Sequence, residues 1–159
     1  MDLPILGAPK PGIQDAPAPR FVGLLGDDYI NLKPRIVVEE GDAVQVGSPV
    51  MFDKDMPEAQ IVSPVAGRVR AINRGARRKL VSVVIDADDT AGPPVDFSDV
   101  GDVETREGLV ERLCAAGLWT SFRARPYSKI PAPDSVPAAI YITATDTEPL
   151  AADPALAMM

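Results

Sequence analysis

The chain has 159 residues, 46% of them apolar, a formal net charge of −7 and a sequence pI near 4.6. That is enough to bury one core, as one domain or a domain plus a fragment of another, and too acidic a surface to displace counterions from nucleic acid. With no histidine and a single cysteine, Cys114, there is no Ser-His-Asp relay, imidazole metal site, internal disulfide, or iron–sulfur cluster held by this chain alone.

No apolar run approaches the ~18 residues of a membrane span, and the N-terminus lacks a signal-peptide pattern. The chain therefore reads as soluble, with any membrane association coming through a partner. Residues 1–20 read as an extended arm: Pro4, Pro9, Pro11, Pro17 and Pro19 forbid a helix, while Leu3, Ile5 and Leu6 can pack on their own domain or on a partner. Phe21, Val22, Leu24 and Leu25 then form a short strand ended by Gly26. The following pair, Asp27 and Asp28, suits a turn whose carboxylates accept backbone N–H groups better than it suits a metal site.

From Arg35 to Ala87 β-branched residues recur between glycine turns, as expected of short strands in a small sandwich. GDAVQVG at Gly41 to Gly47 and SPVAGRVRAI at Ser63 to Ile72 resemble the two halves of a biotinyl/lipoyl-type barrel-sandwich hybrid. In those carriers a lysine at the hairpin tip is modified, and the candidate is Lys54. The midpoint of the connection from Val50 to Ser63 falls near Met56-Pro57, which places Lys54 off the tip, as a solvated lysine among Asp53, Asp55 and Glu58. Downstream, Arg68, Arg70, Arg74, Arg77, Arg78 and Lys79 gather in one segment. They read either as a solvated hairpin turn or as a positive face for lipid phosphate or an acidic partner.

After an acidic, proline-containing loop a helix is expected. Thr105 suits its N-cap, Glu107 its first turn, Leu109, Val110, Leu113 and Cys114 its buried face, and Gly117 its left-handed stop. Cys114 is accordingly a core thiol. In the next block Trp119, Phe122, Pro126 and Tyr127 alternate with Arg123, Arg125 and Lys129. Rings beside positive donors fit one wall of a quinone site, and equally fit packing between domains. Ile140 and Ile142 suggest a strand covered on both faces. No glycine-rich turn follows Thr147, so nothing supports NAD binding, and Thr143-Ala144-Thr145 only faintly resembles a covalent flavin acceptor.

A closer resemblance runs along nearly the whole chain. Its phrases are DLPILGAP (Asp2 to Pro9), LLGDDY (Leu24 to Tyr29), GDAVQVG, FDKD (Phe52 to Asp55), SPVAG, INRGARR (Ile72 to Arg78), SVVI (Ser82 to Ile85), GLWTSFRARPYSKIPAPDS (Gly117 to Ser135) and TATDTEPLAADP (Thr143 to Pro154). Together they resemble the N-terminal part of the NqrA family, one of the subunit families of the sodium-translocating NADH:quinone oxidoreductase. The long block from Gly117 is the specific one.

The resemblance implies a mainly β fold with α+β additions: an arm over 1–20, a barrel-sandwich domain over 21–100, a helix and proline-rich connection over 101–137, and the start of a Rossmann-like α/β domain over 138–159. It implies a peripheral subunit on the cytoplasmic face of the bacterial inner membrane, bound to an integral-membrane quinone-reductase subunit. Such a complex couples electron transfer from NADH to ubiquinone to Na+ export. Flavins and iron–sulfur centres are expected in its other subunits and no redox centre in this chain. Quinone or partner contact is implied for the stretches matching Leu25 to Leu32 and Phe122 to Lys129. The residues are Leu25, Gly26, Tyr29 and Leu32 in the first, and Phe122, Arg123, Arg125, Pro126, Tyr127, Ser128 and Lys129 in the second. Tyr127 stands where the family more often has phenylalanine.

Two departures concern the ends. Met1 directly precedes Asp2, suggesting a different or trimmed start, and Met159 falls near where the second domain would begin. The alternatives are a carrier domain modified at Lys54 and the related electron-transfer complex whose equivalent subunit holds iron–sulfur clusters, for which the cysteine motifs are missing.

Overall fold

Alternating apolar and polar residues through the first half of the chain generate seven short strands in the computed structural model, which describes residues 7, 9–88, 92–145 and 150–157. They are β1 (Phe21–Leu25), β2 (Pro34–Ile36), β3 (Ala43–Val44), β4 (Pro49–Asp53), β5 (Met56–Val62), β6 (Gly67–Arg74) and β7 (Leu80–Ala87). All pairings are antiparallel, in a four-stranded sheet of order β1-β7-β6-β3 and a three-stranded sheet of order β2-β4-β5. One core joins the sheets. Val44, Val69, Val83 and Ile85 from the first meet Val50, Met51 and Ile61 from the second, each at most 3% exposed. Each such side chain contributes about 1.5–3 kcal/mol when removed from water. The expected small β sandwich is thus present.

The backbone constrains its hairpins closely. Gly67 opens β6 at φ +154°, where a Cβ would lie 1.9 Å from the Asp86 carbonyl oxygen. Only glycine lets β6 approach β7 there. Prolines sit where a missing N–H costs least: Pro34 and Pro49 begin strands, and Pro57 lies on the edge strand β5.

The position expected for Lys54 needs correction. Asp53 pairs directly with Met56, so Lys54 and Asp55 form a two-residue turn and Lys54 stands at the hairpin tip. Register shifts between Pro49 and Met51 and between Phe52 and Asp53 make β5 longer than β4, which displaces the turn from the midpoint of the connection. The turn is braced from within. The buried Asp53 carboxylate accepts the N–H of Asp55 at 3.1 Å and of Lys33 at 3.3 Å, and Lys33 Nζ pairs with Asp55 at 2.8 Å.

Helix α1 (Arg106–Ala115) has the expected ends. Thr105 Oγ1 accepts the Gly108 N–H at 3.1 Å, and Gly117 follows at φ +75°. Val110, Leu113 and Cys114 pack with Ala59 of β5, Trp119 and Ile130 as a second apolar cluster. Leu109, expected on that face, is 41% exposed. A second face of the helix is gripped by residues 98–102: Gly108 abuts Asp102, and Arg112 donates to the carbonyls of Ser98, Val100 and Gly101 at 2.6–2.7 Å. At 100° per residue Leu109 falls between that face and the one carrying Leu113.

The chain divides into two compact units, Pro19–Ser135 and the paired segments Met1–Ala18 and Val136–Met159. In the second unit, Pro9, Lys10 and Pro11 line a cleft with Ala151, Asp153 and Leu156, next to the short helix α2 (Pro154–Ala157). The packing expected of Leu3, Ile5 and Leu6, and the segment around Thr147, lie outside the described residues. The buried strand expected around Ile140 and Ile142 is not formed: no strand is assigned over 136–145, and the two side chains are 66% and 87% exposed. A strand covered on both faces requires neighbouring strands to take its backbone hydrogen bonds, and none pairs with it among the described residues.

Candidate functional site

The first candidate stretch begins where β1 runs out. Leu25 closes the strand, half-exposed at 45%, and the chain enters a 3-10 turn over Gly26–Asp28. A Cβ on Gly26 would lie 2.5 Å from the Leu80 carbonyl oxygen, so the turn rests on the backbone of β7. Asp27 pins it there through Lys79 Nζ at 2.5 Å. Asn31 then adopts φ 62°, and the Leu32 N–H closes on the Tyr29 carbonyl at 3.2 Å. This fold-back packs Tyr29 and Leu32 against the main core, both partly buried.

The second stretch is held by the helix cluster. Trp119 is buried in a 3-10 turn over Trp119–Ser121, and its indole N–H donates to the Pro131 carbonyl at 2.8 Å. Phe122 leans on it, with ring centroids 5.0 Å apart and tilted by 50°. Arg123 folds its Nη1 back onto the carbonyls of Thr120 and Phe122. Residues 124–129 form a closed loop, tied by the Ala124 N–H to the Lys129 carbonyl at 2.7 Å and anchored by buried Ile130. The loop contains a cis Arg125–Pro126 bond and Ser128 at φ 52°. Tyr127 is 75% exposed, with Lys129 Nζ 6.0 Å from its ring centroid.

The two stretches come within electrostatic reach of each other at Tyr29 and Arg123. Burial pushes the Tyr29 phenol above its ordinary pKa and the Asp28 carboxylate raises it further, while the Arg123 guanidinium lies near enough to act in the opposite sense. Tyr29 therefore keeps its proton at neutral pH and offers an O–H donor within electrostatic reach of a fixed positive charge. Leu32 lies against the core. Leu25 and Gly26 face the β7 side, and Arg125, Pro126, Tyr127 and Lys129 are exposed on their own loop with Ser128 partly buried. Sequence reasoning left out Asp28 as the acidic neighbour of Tyr29, and the Thr120 carbonyl that helps place Arg123. Asp28 was legible only as half of an acidic pair.

Cys114 is 2% exposed, and burial, with a lesser push from Glu58, raises its thiol to about 11. It is a core thiol, as expected. Among the described residues no three histidine, cysteine, aspartate or glutamate side chains are placed to hold a metal, and no helix is long and apolar enough to cross a membrane.

Comparison with known proteins adds two family matches. Residues 1–88 match the NqrA N-terminal barrel-sandwich hybrid domain and residues 104–159 the NqrA second alpha/beta domain. Among curated proteins, the chain is similar to the A subunit of the Na(+)-translocating NADH-quinone reductase of Serratia proteamaculans, with 45% identity over 97% of this chain and 35% of that protein. The protein of the same name from Saccharophagus degradans is 49% identical over 98% and 35%, and that from Rhodopirellula baltica 43% over 99% and 36%. The chain spans about a third of the length of the curated relatives it matches.

Proposed function

Because this chain belongs to the NqrA family of Na(+)-translocating NADH-quinone reductase subunits, we propose that it forms the N-terminal part of such a protein, serving as a β scaffold that borders the quinone. The whole complex moves electrons from NADH to ubiquinone and couples them to Na+ export; this segment holds no redox centre. It is peripheral on the cytoplasmic face and docks on the integral-membrane quinone-reductase subunit. The partly buried Tyr29 phenol within electrostatic reach of the Arg123 guanidinium supports the quinone part of this reading. The protonated phenol donates to a quinone carbonyl oxygen, the guanidinium favours the partial negative charge there, and Phe122 supplies an apolar plane beside it.

Trp119 is the only tryptophan and lies against Phe122, so its fluorescence reports on this face. Titrating the full chain with a short-chain ubiquinone should quench it saturably. Arg123→Gln and Tyr29→Phe should each weaken the apparent affinity roughly five- to tenfold, the effect of losing one charge-assisted or neutral hydrogen bond of ~1–1.5 kcal/mol. Linear, non-saturating quenching that neither substitution alters would refute the quinone contact.

One observation favours a second reading, a carrier domain modified at Lys54. That lysine stands exposed at the tip of a two-residue hairpin turn, and the carboxylates beside it are already engaged, Asp53 by backbone N–H groups and Asp55 by Lys33. The scaffold reading expects an intact mass equal to the polypeptide alone, and an added lipoyl or biotinyl group would establish the carrier instead.

A further inference from the structure

Six basic side chains fall within residues 68–79, a segment without a single carboxylate, in a chain whose formal net charge is −7. The fold sorts them into engaged and free. On β6, Arg68 donates to the Gly41 carbonyl at 3.1 Å, and Arg70 lies 3.4 Å from the Asp86 carboxylate and 4.5 Å from the Phe21 ring centroid. Lys79 is taken by Asp27. Among the described residues Arg74 reaches the Arg78 carbonyl, at 3.4 Å. The turn between β6 and β7 closes through the Gly75 N–H to the Lys79 carbonyl at 2.8 Å and the Arg78 N–H to the Gly75 carbonyl at 3.1 Å. It leaves Arg77 and Arg78 exposed at the tip, with no ion pair to either among the described residues.

Both tip arginines occupy the left-handed region, at φ 55° and 61°. That conformation opposes the preference of any residue with a Cβ, and glycine would take it freely. Exposed positions of this kind are not demanded by packing. What arginine adds there is a forked, permanently charged donor on a long stem. Val81, 50% exposed, flanks the turn and comes within 3.2 Å of where a Cβ on Gly75 would stand. At this hairpin tip, guanidinium groups with no ion pair among the described residues stand beside an exposed aliphatic side chain. That combination suits a broad layer of phosphate oxygens above hydrocarbon.

We propose that the β6–β7 hairpin tip docks on anionic phospholipid headgroups through Arg77 and Arg78, with Arg74 adding charge and Val81 apolar contact. Carboxylates farther from the tip than a Debye length, about 8–10 Å, do not cancel the attraction. The inference departs from the expectation that any membrane association comes through a partner. It is independent of the quinone reading, since it uses neither Tyr29 nor residues 122–129.

Co-sedimentation of the full chain with vesicles of equal parts phosphatidylcholine and phosphatidylglycerol tests it against vesicles of phosphatidylcholine alone. The Arg77→Gly, Arg78→Gly double variant removes both charges at positions where glycine is the residue the backbone prefers, so the fold is kept. Binding to the anionic vesicles should fall about thirty-fold in this variant, the factor corresponding to about 1 kcal/mol for each of two basic residues. It should also weaken at high salt. Arg35→Gln, an exposed arginine of β2, should bind as the parent does. No binding to anionic vesicles, an unweakened double variant, an equal loss in Arg35→Gln, or equally tight binding to soluble polyglutamate would each overturn the proposal, the last by assigning the tip to an acidic polypeptide.

Discussion

Cys114 and Tyr29 illustrate how burial at a single residue becomes a property of the chain. Both phenol and thiol are raised above their ordinary values, mainly because burial penalises the charged form. For an acid whose folded pKa exceeds its unfolded one, the unfolded state loses the proton first as pH rises. The stabilisation is then present below the unfolded pKa and disappears through the folded pKa. For Cys114 that window runs from 9.0 to about 11. Urea midpoints should therefore fall as pH rises through it, and Cys114→Ala should flatten that part of the profile. A midpoint independent of pH across the window in the parent chain would show that the thiol is not desolvated.

At the scale of the element, the β4–β5 hairpin depends on one buried carboxylate. Asp53 is 4% exposed and spends its oxygen on the N–H groups of Lys33 and Asp55, joining the turn to the segment before β2. Asp53→Ala leaves both donors without that acceptor and should lower stability by about 1.5–3 kcal/mol, the range for hydrogen bonds to a charged group. Equilibrium urea unfolding measures this directly, and a change below about 0.5 kcal/mol, the range of ordinary surface substitutions, would show that the carboxylate does not brace the turn. The same hairpin shows where counting along a sequence fails. Apolar alternation marked both strands, but register shifts moved the turn to Lys54 and Asp55, and no local pattern encodes a shift created by pairing. Helix α1 was easier: Thr105 and Gly117 act within a few residues of themselves, and both ends were legible. The exposure of Leu109 was not, because Arg112 and Gly108 turn a second face of the helix toward residues 98–102.

Over the whole molecule, charge and topology act together. The acidic chain carries six of its basic residues between positions 68 and 79, with Arg77 and Arg78 exposed at the hairpin tip, while the two candidate contact stretches, distant in sequence, come within electrostatic reach at Tyr29 and Arg123. The second unit contains the segment 136–145, whose apolar residues read as a strand yet stand exposed with no strand pairing among the described residues. By itself the sequence determined the strand-rich first half, the helix caps, the core thiol and the family motifs, because periodicity, capping and turn chemistry are settled by near neighbours. Only the tertiary structure decided that Lys54 tops its hairpin, that among the described residues Arg77 and Arg78 have no ion pair while Arg68, Arg70 and Lys79 are engaged, and that Arg123 lies within electrostatic reach of Tyr29. Those outcomes depend on which distant segments close upon one another, and side-chain periodicity within a segment carries no record of that choice.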